Sequence, residues 1–450
     1  MWLDGVPGEL APRASLSGPV DVDVAVVGAG FTGLWTAYYL KKADPHLRVA
    51  VLEREIAGFG ASGRNGGWCS SFFAGSRETT AKTHGRAAAI AMQKAMFDTV
   101  DEVGRVAAAE GIDARYHKGG ALVQASTVPQ LLRAKEEIEY ERSWGFGEED
   151  YRLLSAEEAR SRIAAAGSLG AYYTPNSACV DPARLVRGLA DVVERLGVPI
   201  YERTPALRLA AGRVDTPAGA VTAEVVVRAT EGYTVELPGF ERTVLPLYSL
   251  MIATERLPQD VWDAIGWREY ETFNDERFLI IYAMRTDDDR LAIGGRGAPY
   301  HWGSRVSDDF IDQPNVFKAL EATVHRLFPQ MGDFAVTHTW GGPIGIPRDW
   351  YSSVGFDRGS GRAWAGGYVG DGVSTTNLAG RTLSDLIRGE KTEITELPWV
   401  GHRSPLWEPE PLRWLAVNAA MKAMASADSY EERTGRPSKR ATLVKRLIGA

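Results

Sequence analysis

Cysteine is almost missing from this chain. Cys69 and Cys179 are the only two in 450 residues. They are too few for a disulfide framework and do not form a CxxC metal pair, so the sequence fits a reducing compartment. A basic excess is missing as well. Lys and Arg number 51 against 58 Asp and Glu, a net charge of -7, which argues against the broad cationic surface that binds nucleic acid and leaves small molecules as the expected partners. No apolar run is long enough to span a bilayer, and MWLDGVPGELAPRASLSGPVD has no basic stretch leading into an apolar one. No secretory signal and no membrane partner are therefore expected, and the placement is cytoplasmic. Internal repeats and low-complexity tracts are absent too.

What is abundant is glycine, 48 residues in a composition that is 44% hydrophobic and 24% charged. A chain this long exceeds the size at which one core keeps growing, so two lobes are expected. The first ordered segment, VDVAVVGAG, is a short β-branched run ending in glycine, and in the following FTGLWTAYYLKKAD the residues Leu34, Ala37, Tyr38 and Leu40 share a face. Pro45 stops that helix, and LRVAVLER reads as a second buried strand. Within this βαβ unit Gly28, Gly30 and Gly33 have GxGxxG spacing, and Glu53 ends the second strand. A lone GxGxxG is a weak signal, but strand, glycines, helix and terminal acid in that order form a dinucleotide fingerprint with a mechanism. The first glycine permits a tight turn, the second lets backbone amides approach a pyrophosphate at the helix start, and the third lets the helix lie close. A terminal acid accepts hydrogen bonds from ribose hydroxyls and disfavours a 2'-phosphate, and therefore NADP.

Two further glycine-rich segments bear on which dinucleotide this is. NAD needs little beyond the first βαβ unit, whereas FAD continues into a ribityl chain and a buried tricyclic ring that also need close backbone. GFGASGRNGGW at 58–68 follows directly on the acid, and GGYVGDGV at 366–373 precedes a helix with Leu378, Leu383, Leu386 and Ile387 inward and Gly389 as its stop. Both segments suit FAD, and the start of that helix can direct amides at the pyrimidine edge of a flavin. Elsewhere helices are expected at 80–110, 129–144 and 182–196. Short strands are expected from 198 to 230, and a strand-rich region from 245 to 297 with DDD at 287–289 as a hairpin tip.

The set DVAVVGAGFTGLWTAYYL, LEREIAGFGASGRNGG, VVVRATEGY, LAIGGR, WGGPIG and GGYVGDGVSTTNLAGRTLSDLI resembles the FAD-dependent D-amino-acid oxidase superfamily over about residues 20 to 400. Within it the resemblance is to the gamma-glutamylputrescine oxidoreductase and glycine and sarcosine oxidase-like branch. This implies an α/β chain, α+β overall, with a Rossmann-like FAD-binding domain interleaved with an antiparallel-sheet substrate domain. The first domain would take 21–80, 150–244 and 341–400, and the second 81–149 and 245–340. A surface arm at 1–20 and a helical tail at 401–450, read as a solvated basic helix, complete the chain. The implied chemistry is FAD-dependent oxidation of a primary or secondary amine, amino-acid-like and anionic. The imine formed would hydrolyse to an aldehyde or keto acid, with electrons passing to O2 to give H2O2. An amine dehydrogenase using another acceptor, and a flavoprotein acting on or with a partner protein, are the alternatives.

By the same resemblance the cofactor contacts are Gly28, Gly30, Phe31, Thr32, Gly33, Glu53, Arg54, Gly60, Ala61, Ser62, Arg64, Asn65, Gly66, Gly67, Ala206, Ala229, Gly367, Gly370, Asp371, Gly372, Val373 and Ser374. The glycines of GASGRNGG would lie where any Cβ meets cofactor. Relatives that attach flavin covalently use a histidine near the Arg64 position or a cysteine before the last glycine-rich loop. Neither is present, so non-covalent FAD is expected. Asp371 stands where many members have histidine, and an acid there opposes a reduced-flavin anion unless it points away or pairs. Ala292 aligns with the lysine that sarcosine-oxidase-like members place near the flavin. For the reaction itself the candidates are Arg296, Tyr248, Trp340 and Tyr368, with Tyr282 alongside. Arg296 reads either as a bidentate clamp for a carboxylate or as a structural ion pair. Each aromatic reads either as a wall around an amine or as core. His301 and Trp302 are expected in a loop over the site.

Overall fold

The computed structural model describes residues 1–8, 10–441 and 444, with Arg296 described by its backbone alone. The elements that position the site begin with β1 (Val20–Val27), α1 (Phe31–Ala43) and β2 (Val49–Leu52). Next come α2 (Arg86–Ala109), β3 (Ala121–Ala125), β4 (Arg152–Ser155), β5 (Gly170–Thr174), α3 (Pro182–Arg195), β6 (Ile200–Tyr201) and β7 (Gly219–Arg228). The second half holds β8 (Leu245–Thr254), β9 (Thr272–Asp275), β10 (Ile281–Arg285), β11 (Leu291–Arg296) and β12 (Val336–Ile346). It closes with β13 (Ser353–Asp357), β14 (Arg362–Gly366), α4 (Gly372–Arg388) and α5 (Leu412–Thr434).

Valine-rich runs make β1, β2 and β7 strands that are covered on both faces, as a parallel sheet requires. Val26 on β1 lies between Val51 of β2 and Val227 of β7, and none of the three is exposed. The sheet runs β13-β14-β7-β1-β2-β6 and is parallel along this path except for the edge strand β13, while two short strands at 208–210 and 213–216 extend β7 antiparallel. Helices α1 and α4 cover one face. They approach so closely that a Cβ at Gly380 would lie 2.6 Å from Trp35 Cβ, which only glycine avoids. The second sheet runs β12-β8-β11-β10-β9-β3-β5-β4 and is antiparallel except where β9 meets β3. Behind it Trp262, Trp267, Phe273 and Phe328 form a buried aromatic core. Residues 287–289 cap the β10–β11 hairpin.

The expected division of the chain changes in two places. Strands β4 and β5 fall inside 150–244 yet belong to the second sheet, because β3 pairs with β5, Val123 opposite Tyr172. Helix α2, expected in the second lobe, instead buries Met92, Met96, Val100 and Val103 in the core beneath the first sheet. The N-terminal arm packs onto the body of the protein. Trp2 is buried and its Nε1 donates to Asn65 O at 2.9 Å, while Arg13 pairs with Glu194 and with the buried Glu202. Helix α5 is clasped rather than merely solvated. Asp428 accepts from the amides of Phe278 and Leu279 at 2.8 and 2.9 Å, and buried Glu431 pairs with Arg133. Among the described residues no helix is long and apolar enough to cross a membrane.

Candidate functional site

A cavity of about 530 Å³ follows the carboxyl ends of β1 and β2, passes between the two sheets and ends on the second. Its near end is lined by Leu52, Glu53, Arg54 and Ala206, and its middle by Gly30, Thr32, Gly60, Ser62, Glu231 and Tyr368. Trp68, Val123, Tyr172, Asn274 and Tyr282 line the far end.

At the near end the glycine spacing has an exact steric cause in the protein's own backbone. Gly28 has φ 108°, and a Cβ there would lie 2.5 Å from Ala229 O, the residue that follows β7. A Cβ at Gly33 would lie 1.9 Å from Gly28 O, so α1 can start where it does only over a glycine. Gly33 itself does not line the cavity. Glu53 is half-buried, with Oε2 accepting from Ala29 N at 2.8 Å and Oε1 from Glu55 N at 2.9 Å. Burial pushes its carboxyl up and these two amides oppose the shift. Each oxygen keeps a lone pair for a further donor. Ser62 Oγ accepts from Phe31 N at 2.8 Å, which ties the 60–64 turn to the start of α1. Arg54 stacks on Tyr233 at 4.8 Å and pairs with Glu236 at 2.6 Å.

Midway, the Tyr368 and Thr32 hydroxyls are 2.9 Å apart, and burial pushes the phenol well up. Two non-glycine cavity residues hold left-handed backbone, Glu231 at φ 41° and Val369 at φ 57°. Strain of this kind collects at functional sites. Asp371 precedes α4, and its Oδ1 accepts from Ser70 Oγ at 2.8 Å. Arg64 lies over Phe59 at 4.2 Å and pairs with Asp308 at 3.0 Å. Asn65 closes its own turn, donating to Ala61 O and Ser62 O and accepting from Gly67 N. Ala61, Gly66, Ala229, Gly370, Gly372 and Val373 also reach the cavity. Gly67, Gly367 and Ser374 do not. Gly67 makes room for Met284, Gly367 for Pro347, and the Ser374 hydroxyl donates to Ser70 O.

The far end is built by strand register. Tyr172, Val123, Asn274, Tyr282 and Gly294 stand opposite one another across β5, β3, β9, β10 and β11, so their side chains share one face. A Cβ at Gly294 would lie 2.4 Å from the Tyr282 ring, and one at Gly66 would lie 2.7 Å from it. Gly294 of LAIGGR and Gly66 of GRNGG thus seat a tyrosine, whereas the sequence reading assigned the GRNGG glycines to cofactor. The Tyr282 hydroxyl is 2.7 Å from Ser249 Oγ. Arg277, also in the wall, pairs with buried Asp275 at 2.7 Å.

Two of the four reaction candidates do not line the cavity. Tyr248 sits on β8 beside Ser249 in sequence and therefore on the opposite face. Its hydroxyl donates to Ser307 O at 2.8 Å and accepts from Ser307 N at 2.9 Å. Trp340 shares the Tyr282 face of the second sheet, in register through Met251 and Gly294, but packs edge-on against Trp2 and donates to Arg64 O at 2.9 Å beside the cavity. His301 stacks on Phe310, and Trp302 is exposed beside Trp414, so neither covers the cavity. Ala292 is buried among Cys179, Met251 and Met284. The backbone of Arg296 pairs with that of Ser249, and its side chain lies outside the described residues. Cys69 and Cys179 are buried away from the cavity, and burial pushes both thiols up. Sequence reasoning missed Glu231, Trp68, Tyr172, Asn274 and Arg277. Only the alternation of β5 and β9 could have hinted at two of them, Tyr172 and Asn274, once the pairing was known.

Residues 23–386 match the family described as FAD dependent oxidoreductase. The chain is 31% identical over 387 residues to the gamma-glutamylputrescine oxidoreductase of Escherichia coli (strain K12), covering 84% of this chain and 87% of that protein. It is 28% identical to the probable oxidoreductase OrdL of Haemophilus influenzae, with 83% and 84% covered. Among solved structures, glycine oxidase from Geobacillus kaustophilus superposes with a TM-score of 0.72 at 21% identity, over 86% of this chain and 100% of that one.

Proposed function

Because this chain belongs to the FAD dependent oxidoreductase family, we propose that it oxidises a small primary or secondary amine bound at the far end of the cavity, with O2 as electron acceptor. The observation that carries this reading is continuity: one cavity joins the Gly28–Glu53 fingerprint to the Tyr172–Tyr282 row. The similarity to a gamma-glutamylputrescine oxidoreductase and the glycine oxidase fold support an amine as the substrate class. When bound, FAD supplies the two-electron acceptor for the carbon–nitrogen bond.

The residues present fit that cofactor. Glu53 retains lone pairs for ribose hydroxyls, the start of α1 offers its amides to a pyrophosphate, and the 60–66 turn and 368–373 loop flank the ring. Cys69 and Cys179 lie outside the wall, which supports a dissociable cofactor. At the far end Trp68, Tyr172 and Tyr282 enclose the amine with ring faces and exclude water, and Asn274 presents a polar edge among them. Arg296, opposite Ser249 in register, holds an anionic group of the substrate in this reading. The test is anaerobic mixing of the purified flavoprotein with a panel of amines, followed by admission of air. Loss of the oxidised-flavin absorbance on amine addition and peroxide release on aeration are expected. Bleaching by reduced nicotinamide and by no amine overturns the proposal.

A further inference from the structure

Asn274 stands in the middle of the far-end row with neither end of its carboxamide bonded to a described residue. Asparagine is a poor strand former, and its side chain usually bonds backbone close by in sequence. Here it lies inside β9, between Val123 of β3 and Tyr282 of β10, on the cavity face. The residue is half-buried and its Oδ1 is buried without a partner, so the end that keeps accessible surface is the donor, Nδ2. Neighbouring donors in the wall are occupied. Trp68 Nε1 donates to Ala283 O at 3.2 Å, and the Tyr282 hydroxyl is 2.7 Å from Ser249 Oγ. An apolar side chain of the same size would pack here without an unmet amide, and a polar group left unmet in a cavity wall is explained by a ligand that meets it.

The charges around Asn274 decide what that ligand group is. Among the described residues each arginine of the wall is already faced by an acid: Arg277 by Asp275 at 2.7 Å, Arg64 by Asp308 at 3.0 Å and Arg54 by Glu236 at 2.6 Å. Glu276, next along the far wall, stands 3.7 Å from Arg133. A substrate carboxylate laid against Asn274 would meet one neutral donor in a wall that also carries the Asp275 and Glu276 carboxylates, which leaves its charge short of partners. A neutral carbonyl oxygen needs only the one donor.

We propose that Asn274 is a specificity-determining residue whose Nδ2 donates a hydrogen bond to a neutral carbonyl oxygen, of the amide type, on the chain of the amine substrate. This rests on the reading of the far end as the amine site. It is a second point of attachment, separate from the anionic group assigned to Arg296. A substrate without the carbonyl leaves Nδ2 desolvated and unpaired, and the site discriminates against it for that reason.

The experiment compares three amines of one chain length on the FAD-loaded enzyme. The first carries an amide in its chain, the second two methylenes in place of that amide, and the third a carboxylate at the same position. Steady-state kinetics are measured for wild type, Asn274→Leu and Asn274→Asp at about pH 8, where an aspartate is ionised, with flavin content and melting temperature on each preparation. Wild type is expected to favour the amide over the alkane about tenfold in kcat/KM. Asn274→Leu is expected to erase that preference by raising KM for the amide, with kcat and the alkane unaffected. Asn274→Asp offers acceptors alone and is expected to favour the alkane. A wild type that does not favour the amide overturns the proposal, as does a leucine variant that keeps the preference. An aspartate variant that keeps it shows that Oδ1 faces the substrate, which overturns the assignment of Nδ2. A carboxylate that wild type prefers to the amide, and that loses this advantage in Asn274→Leu, overturns the neutral carbonyl. Should one variant lose FAD or fold, the other and the wild-type series decide. If no amine bleaches the flavin, the reading of the far end falls and this inference with it; amines oxidised without these differences overturn the Asn274 assignment alone.

Discussion

The two ends of the cavity are built by different rules. The near end comes from two short contiguous stretches, 28–33 and 53–66, whose members touch through backbone: Gly33 against Gly28, Gly28 against Ala229, Ser62 against Phe31. The far end collects Val123, Tyr172, Asn274 and Tyr282 from across some 160 residues, and strand register alone aligns them. Backbone contacts leave no slack, because a misplaced Cβ meets a peptide oxygen that belongs to a strand. Side-chain contacts yield, because a ring can tilt or a rotamer change. One end should therefore break outright under substitution while the other shifts by degrees.

The sharpest test of that contrast is Gly33→Val. Its Cβ would lie 1.9 Å from Gly28 O, and neither α1 nor β1 can retreat from the valine core around it. Soluble yellow protein should be lost, a cost above about 5 kcal/mol; a stable holoprotein would show that the near end is softer than its geometry. Next in size is Arg296→Met. Retained melting temperature and FAD content are expected, with kcat/KM for an anionic amine lower by about 2 to 5 kcal/mol and a neutral amine almost unaffected. Arg296→Lys should recover part of it, since an ammonium lacks the fork. Equal loss on both amines removes Arg296 from the site.

The same contrast explains what was legible in the sequence. Gly28, Gly30, Gly33 and Glu53 were readable because their chemistry depends on separations of a few residues within one βαβ unit, and all but Gly33 line the cavity. Tyr172 and Asn274 were not, because nothing in their own segments says which strands pair. Tyr248 shows the reverse failure. Aromatics in a strand near a site have even odds of facing it, and a one-residue step along β8, from Ser249 to Tyr248, exchanges cavity for core. Glu231 escaped because its turn reads as an ordinary strand exit, and the amides of Gly345, Gly367 and Tyr368 that face its carboxyl come together only when β12 and the 366–368 loop are folded beside it.

Gly294→Ala probes the compliant end. The added methyl would sit 2.4 Å from the Tyr282 ring, which must leave Ser249 to make room. A loss of about 1 to 3 kcal/mol in kcat/KM is expected with FAD retained, measured by steady-state kinetics and flavin content on the same sample. Loss of FAD instead would mean the two ends are coupled through Gly66, whose own Cβ position faces the same ring.

The smallest effect should come from Tyr248→Phe, and it separates support from chemistry. The Tyr248 hydroxyl satisfies both backbone groups of Ser307, and its ring lies edge-on to Phe310 and His301. Phenylalanine keeps the packing and abandons one N–H and one C=O at a part-buried turn. The expected cost is about 1 kcal/mol of stability, seen as a small drop in melting temperature. KM and kcat for every amine should stay within twofold of wild type, because the side chain sits on the face of β8 away from the cavity. A fall of tenfold or more in kcat/KM at unchanged melting temperature would place the phenol at the substrate after all, and would mean that the far end draws on both faces of β8.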